Sequence, residues 1–106
     1  MSARSKTVVL APDARVDFTD ILLFTLRELG DEQSVRYETL LVRAMSDLAD
    51  HPEVGVRRDR LFPGCRIRPV EQHVLYYRVV GDNVEVVRIL HARQDARNAM
   101  GFEHRP

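Results

Sequence analysis

A chain of 106 residues with 16 basic and 16 acidic side chains carries no formal net charge, and its single cysteine excludes an internal disulfide framework. That length predicts one domain over residues 1–106, with a core over about 6–95 and a tail over 96–106. No apolar run approaches the length of a membrane span or follows a basic leader, so a cytoplasmic protein with no membrane partner is expected. The neutral total hides an asymmetry: residues 1–55 hold 6 basic against 10 acidic side chains, and residues 56–106 hold 10 against 6.

Residues 6–10 (KTVVL) form a short apolar run closed by Ala11-Pro12, which suits a first strand. Pro12 fits the first position of a helix, and Asp13 and Asp17 place negative charge near its positive end. Phe18, Ile21, Leu22, Leu26 and Leu29 then recur at helical spacing until Gly30. A second helix starts at Asp31-Glu32, carries Tyr37, Leu41, Ala44, Met45 and Leu48 as one stripe, and ends before Pro52, because a residue preceding proline is pushed out of the α region. Helices over 12–29 and 31–50 with so short a connection must fold back as an antiparallel hairpin, which needs an apolar sheet to cover. The link over residues 51–64 holds the densest cationic cluster, Arg57, Arg58 and Arg60, interrupted by Asp59.

Three strands follow, over 65–70, 74–80 and 84–91. The last two are rich in β-branched and aromatic residues and are joined by Gly81-Asp82-Asn83, which tolerate positive φ and predict a hairpin. Strict alternation puts Val84, Val86, Arg88 and Leu90 on one face and Glu85, Val87, Ile89 and His91 on the other. It also puts one of Tyr76 and Tyr77 in the core and the other at the surface. Pro69 assigns the first meander strand to an edge or strand-end position. The expected class is α+β: a first strand, an antiparallel helix hairpin and a three-stranded antiparallel meander, with the helices packed on one face of a four-stranded sheet. Residues 98–106 read as a frayed or weakly helical tail.

That order of elements is joined by a set of residues: Pro12-Asp13-Ala14, His51-Pro52, Gly55, Arg58-Asp59, Leu61, Pro63-Gly64, Arg66, Pro69-Val70, His73, Tyr77-Arg78-Val79, Gly81-Asp82, Val84-Glu85-Val86 and residues 88–95 (RILHARQD). Together they resemble the RelE/ParE toxin superfamily, and its ParE (plasmid stabilisation) branch in particular, from Leu10 to Asp95. The resemblance implies a toxin of a bacterial type II toxin-antitoxin module, neutralised by a small ParD-like antitoxin. ParE members inhibit DNA gyrase, whereas RelE members are ribosome-dependent mRNA endonucleases.

Chemistry separates the two branches. Metal-independent cleavage of RNA needs a base for the 2′-hydroxyl, a cation for the developing charge and an acid for the leaving oxygen, all at one phosphate. In a nuclease Arg66, Arg68, Arg88 and His91 would fill those roles. The meander has no lysine, however, no tyrosine follows Tyr77, and the tail offers only Phe102 and His104. The favoured reading is therefore a non-enzymatic gyrase inhibitor, with Arg57, Arg58, Arg66, Arg68, Arg88, His91 and Arg93 as candidate target contacts, of which Arg66, Arg68, Arg88, His91 and Arg93 are expected to cluster near one end or face of the sheet. Direct nucleic-acid binding is expected only in the nuclease alternative, and an inactive binding member is the third.

Plainer roles stand beside these. His91 suits a structural hydrogen bond at a strand end, Arg57, Arg58 and Arg60 suit a solvated loop, Arg93 and Asp95 could pair, and Cys65 reads as a small buried filler. No phosphate loop, metal-ligand cluster or Ser/His/Asp arrangement is present, so no cofactor or metal is expected. Leu23, Leu40 and Val42 lie off the main helical stripes and are the candidate antitoxin contacts. The expected antitoxin segment is disordered alone, lays an amphipathic helix along the hairpin, adds an extended stretch at a sheet edge and carries an acidic tail toward the basic second half.

Overall fold

The computed structural model describes residues 5–101. In chain order the elements are β1 (Thr7–Leu10), α1 (Pro12–Leu29), α2 (Asp31–Asp50), β2 (Val56–Arg57), β3 (Arg66–Val70), β4 (His73–Val80), β5 (Asn83–His91) and α3 (Ala96–Ala99). The sheet order is β1-β5-β4-β3-β2. β1 runs parallel to β5, with Thr7 opposite Asn83 and Leu10 opposite Val86, and the remaining pairings are antiparallel.

Pro12 opens α1, where its missing N–H costs nothing, and Asp13 lies in the first turn. Gly30 ends α1 and starts α2 at φ 91°, a conformation that disfavours any side chain, and its N–H donates to the Leu26 carbonyl at 3.0 Å. Ser34 Oγ donates to the Leu22 carbonyl at 3.2 Å, tying the two helices beside the turn. α2 stops at His51, ahead of Pro52, as expected from the restriction that proline places on its predecessor.

Consecutive residues of β4 divide between two apolar clusters, so both faces of the sheet are covered. Leu75, Tyr77, Val84, Val86 and Ile89 pack with Ala14, Tyr37, Leu41, Ala44, Met45 and Leu48 under the helix hairpin. Tyr76 and Leu90 pack with Phe62 and Cys65 on the other face, bordered by Ala96, Ala99 and Met100. Each fully buried leucine contributes about 1.5–3 kcal/mol relative to an exposed one, and Leu41, Leu48 and Leu75 are among the largest side chains completely removed from water.

The α+β class agrees with the sequence, but the sheet differs in several details. It has five strands, because Val56 and Arg57 pair with Ile67 and Arg66 at its edge; two residues are too few for a periodic signal. Tyr76 and Tyr77 are both buried, because the loop before β3 and α3 cover the face that alternation assigned to solvent. Alternation along β5 also breaks. Tyr76 opposes Arg88 while Tyr77 opposes Val86, so Val87 is the extra residue of a β-bulge. As a result Val84, Val86 and Ile89 share the helix-covered core, and Val87 and Leu90 go to the opposite one. Asp95 does not pair with Arg93 but caps α3, accepting from the N–H groups of Arg97 and Asn98. Asn98 and Ala99 are thus helical, and residues 102–106, with Phe102 and His104, lie outside the described residues.

Candidate functional site

The sequence-predicted arginines separate into three groups. Arg57 and Arg66 are direct partners across β2 and β3. The Arg57 Nη2 lies 2.8 Å from Asp59 Oδ2, and Arg58 Nη1 donates to the Arg57 carbonyl at 2.9 Å. The Arg57 hydrogen bond is also the leading reason that the exposed Asp59 carboxyl sits below the usual range. Arg66 Nη1 donates to the carbonyls of Glu53 at 3.2 Å and Gly55 at 2.9 Å, so it fastens the segment that leaves α2. Arg68 reaches Asp47 across 3.5 Å and keeps a buried Nε with no partner among the described residues.

Arg88 points elsewhere. Its Nε and Nη2 donate to Asp17 of α1 at 2.7 and 2.9 Å, and its Nη1 donates to the Ala99 carbonyl at 3.1 Å. The ion pair is mostly buried, with side-chain exposures of 19% for Arg88 and 12% for Asp17.

His91 and Arg93 make the third group, at the end of β5 beside the tight turn that joins β3 to β4. His91 opposes His73, and the N–H of Ala92 donates to the Gln72 carbonyl at 2.8 Å. The backbone N–H of Arg93 donates to His91 Nδ1 at 3.1 Å, and that of His91 donates to Gln94 Oε1 at 3.0 Å. Arg66 and Val70 are the two ends of β3, roughly 13 Å apart at about 3.3 Å per residue. Arg66 and His91 therefore occupy opposite ends of the sheet, and Arg66, Arg68, Arg88 and His91 do not converge on one phosphate.

What the fold does bring together is a different set of residues. A cavity of about 510 Å³ lies between α1, α2 and the β3–β4 turn, lined by Ile21, Phe24 and Leu29 of α1, Tyr37 of α2, and His73 and His91 at the strand ends. The Tyr37 hydroxyl is 2.6 Å from His73 Nδ1, and it donates to the Val70 carbonyl at 3.3 Å. The His73 ring meets Tyr37 and His91 edge to face, with centroids 5.4 and 5.3 Å apart. Burial, ahead of the neighbouring His91, pushes the His73 imidazole below its ordinary range, and burial likewise pushes the Tyr37 phenol up.

In the sequence His73 stands out only as one of the family-resembling residues, and Tyr37 only as a member of the α2 apolar stripe. The bulge is the reason, since the hairpin opens with Val80 opposite Asn83, and only the extra residue brings His91, instead of Leu90, opposite His73. A pairing count from the turn could have found a histidine near this position, though not the one-residue shift.

The chain matches, over residues 8–96, the family described as the ParE toxin of type II toxin-antitoxin systems, parDE. It belongs to the ParE toxin family. Toxin ParE1 of Caulobacter vibrioides is 34% identical over 92 residues, covering 87% of this chain and 95% of that one. Among solved structures, a chromosomal ParDE toxin-antitoxin system from P. aeruginosa matches at a TM-score of 0.71 and 20% identity, over 84% of this chain and 98% of that one. The toxin-antitoxin complex RelBE2 of Mycobacterium tuberculosis matches at a TM-score of 0.57 and 23% identity, over 82% and 98%. Those two likenesses establish a shared fold.

On this ParE-family fold the helix hairpin leaves much apolar surface uncovered. Leu23 of α1 and Val42 of α2 are both about half exposed, and Val16, Phe24 and Leu29 of α1 are exposed as well. Leu40 is partly buried and packs against the core beneath the hairpin. Val42 borders a depression of about 370 Å³ with Lys6, Val8, Leu10 and Met45, beside the outer edge of β1. Among the described residues no cluster of three or more His, Cys, Asp and Glu side chains could hold a metal ion, and no helix is long and apolar enough to cross a membrane.

Proposed function

We propose that this ParE-family chain acts in the cytoplasm, as one toxin domain, by inhibiting DNA gyrase, and that a cognate ParD-like antitoxin neutralises it. Family membership over residues 8–96 is the observation that carries the reading. The dispersal of Arg66, Arg68, Arg88 and His91 supports a protein-contact toxin over a nuclease, because no three of these groups meet at one reacting phosphate. Arg57 and Arg58 at one end of the sheet and Arg93 at the other are exposed, and are the accessible candidates for target contact. Arg66, Arg68 and Arg88 hold carbonyls or carboxylates of their own chain.

The antitoxin segment takes the hairpin, touching Leu23 and Val42, with Leu40 at the border of the contact, and an extended stretch pairs along the open edge of β1. An acidic tail on the antitoxin complements the basic second half of the toxin. Purified protein added to a gyrase supercoiling reaction should block supercoiling, and the product of the adjacent gene should restore it. Normal supercoiling together with cleavage of ribosome-bound mRNA would replace this reading with the RelE-like alternative, and neither effect would leave an inactive binding member. Leu23→Asp combined with Val42→Asp should abolish co-purification with the antitoxin; an intact complex would remove those two residues from the contact.

A further inference from the structure

The cavity floored by Tyr37, His73 and His91 has a charge and a shape that together specify an occupant. Its volume of about 510 Å³ is that of a side-chain or small-ligand pocket. One wall is apolar, and two of its members, Phe24 and Leu29, are 58% and 65% exposed, so the wall extends outward from the cavity onto the hairpin. The floor is set in advance: the Tyr37 hydroxyl locks His73, the opposed His91 packs against it, and Glu71 holds a left-handed φ of 54° in the two-residue turn alongside.

Two carboxylates, Asp20 and Glu71, line the cavity against one guanidinium, Arg36. Glu71 shares Arg36 across a weak 3.3 Å contact, while Asp20 has no partner among the described residues. The helix hairpin around it, residues 12–50, bears four arginines against nine carboxylates. We propose that this cavity receives a two-part anchor from a protein partner: an apolar side chain seated between Phe24 and the Tyr37–His73 floor, with an adjacent lysine or arginine held by Asp20. The inference rests on the antitoxin reading for the partner's identity and gives the partner's hairpin-binding face a positive charge, distinct from any acidic tail that reaches the arginine-rich sheet. Nucleic acid and a second copy of the same acidic hairpin are both disfavoured by like charge.

Blocked dipeptides test the pocket without the partner. N-acetyl-Trp-Arg-amide and N-acetyl-Trp-Glu-amide are titrated into the full chain and followed by NMR. The Arg dipeptide should shift the resonances of Thr25, Tyr37, His73 and His91 and bind about threefold more tightly than the Glu dipeptide, the range of one solvent-facing ion pair. Asp20→Asn, isosteric and at an exposed position, should erase the preference while leaving the spectrum folded. Equal or tighter binding of the Glu dipeptide, shifts confined to another surface, or no binding of either would overturn the proposal. Co-purification with the adjacent gene product separates the two readings. A complex that forms although neither dipeptide binds sinks the pocket alone, and an Arg preference with no complex keeps the pocket and removes the antitoxin as its partner.

Discussion

Arg88 and Asp17 are joined by two charge-assisted hydrogen bonds of 2.7 and 2.9 Å, and the Asp17 Oδ2 also accepts the backbone N–H of Ile89 at 2.9 Å. One carboxylate thus serves the guanidinium and the strand edge where β1 has ended and the β5 amide would otherwise lack an acceptor. The hydrogen bond that Arg88 donates to Asp17 is the leading reason that the Arg88 guanidinium is held more firmly in its charged form.

Asp17→Ala should therefore unfold the protein more readily, by about 2–4 kcal/mol, since it strands a mostly buried cation and an amide together. Urea denaturation checks the value. Arg88→Ala should lose stability on a similar scale, so any loss of toxicity in that variant is expected to follow loss of fold. Arg93→Ala, at an exposed side chain, should leave the urea midpoint unchanged.

The segment leaving α2 has no room for a side chain at Gly55. A Cβ there would lie 2.5 Å from the Tyr77 Oη and 2.7 Å from the Ile67 carbonyl, and the latter, being backbone in a sheet, cannot give way. Gly55→Ala should lower the thermal midpoint more than Gly81→Asn, where φ is 58°, a left-handed value that asparagine adopts, and a Cβ meets nothing within 4 Å. Tyr77→Phe should cost about 1–3 kcal/mol, because the Tyr77 hydroxyl donates to the Pro52 carbonyl at 2.8 Å and accepts from the Gly55 N–H at 2.9 Å.

His73 gives the fold a pH dependence of defined sign. Its imidazole is pushed down in the folded state, first by burial, so the unfolded chain binds the proton more readily. Stability from this group is complete above the ordinary histidine value of about 6.5 and falls as the pH drops through the lower folded-state value. The urea midpoint should begin to decline as the pH falls below about 6.5, ahead of the carboxylates, and His73→Gln should flatten the decline. At the alkaline end Tyr37, Tyr76 and Tyr77 are all pushed up by burial, so their contribution is complete below about pH 10 and lost above it.

Cys65 is fully buried and its thiol is pushed up to about 11 by burial. The native protein at pH 8 should react with a thiol-specific disulfide reagent only as fast as it opens, and at once in strong denaturant. Rapid labelling of the native state would contradict the packing of Cys65 against Tyr76 and Leu90.

The helix hairpin, its turn at Gly30, its end before Pro52 and the three meander strands are legible in the residues alone, because each is written in local terms: a 3.6-residue stripe, a residue suited to positive φ, a run of β-branched side chains. The sequence also carried the family resemblance, since that depends on residues and their order. Which arginines face out depends instead on contacts between segments far apart in the chain. Arg66 and Arg88 look alike in sequence to Arg57 and Arg93, but they sit where carbonyls and a carboxylate from distant segments need a donor. The Tyr37–His73–His91 cavity was likewise out of reach, because it joins a helix stripe to two strand ends whose alignment depends on one extra residue at Val87. A bulge leaves no mark in a period-two pattern when the residues on both faces are apolar, and here both faces are buried.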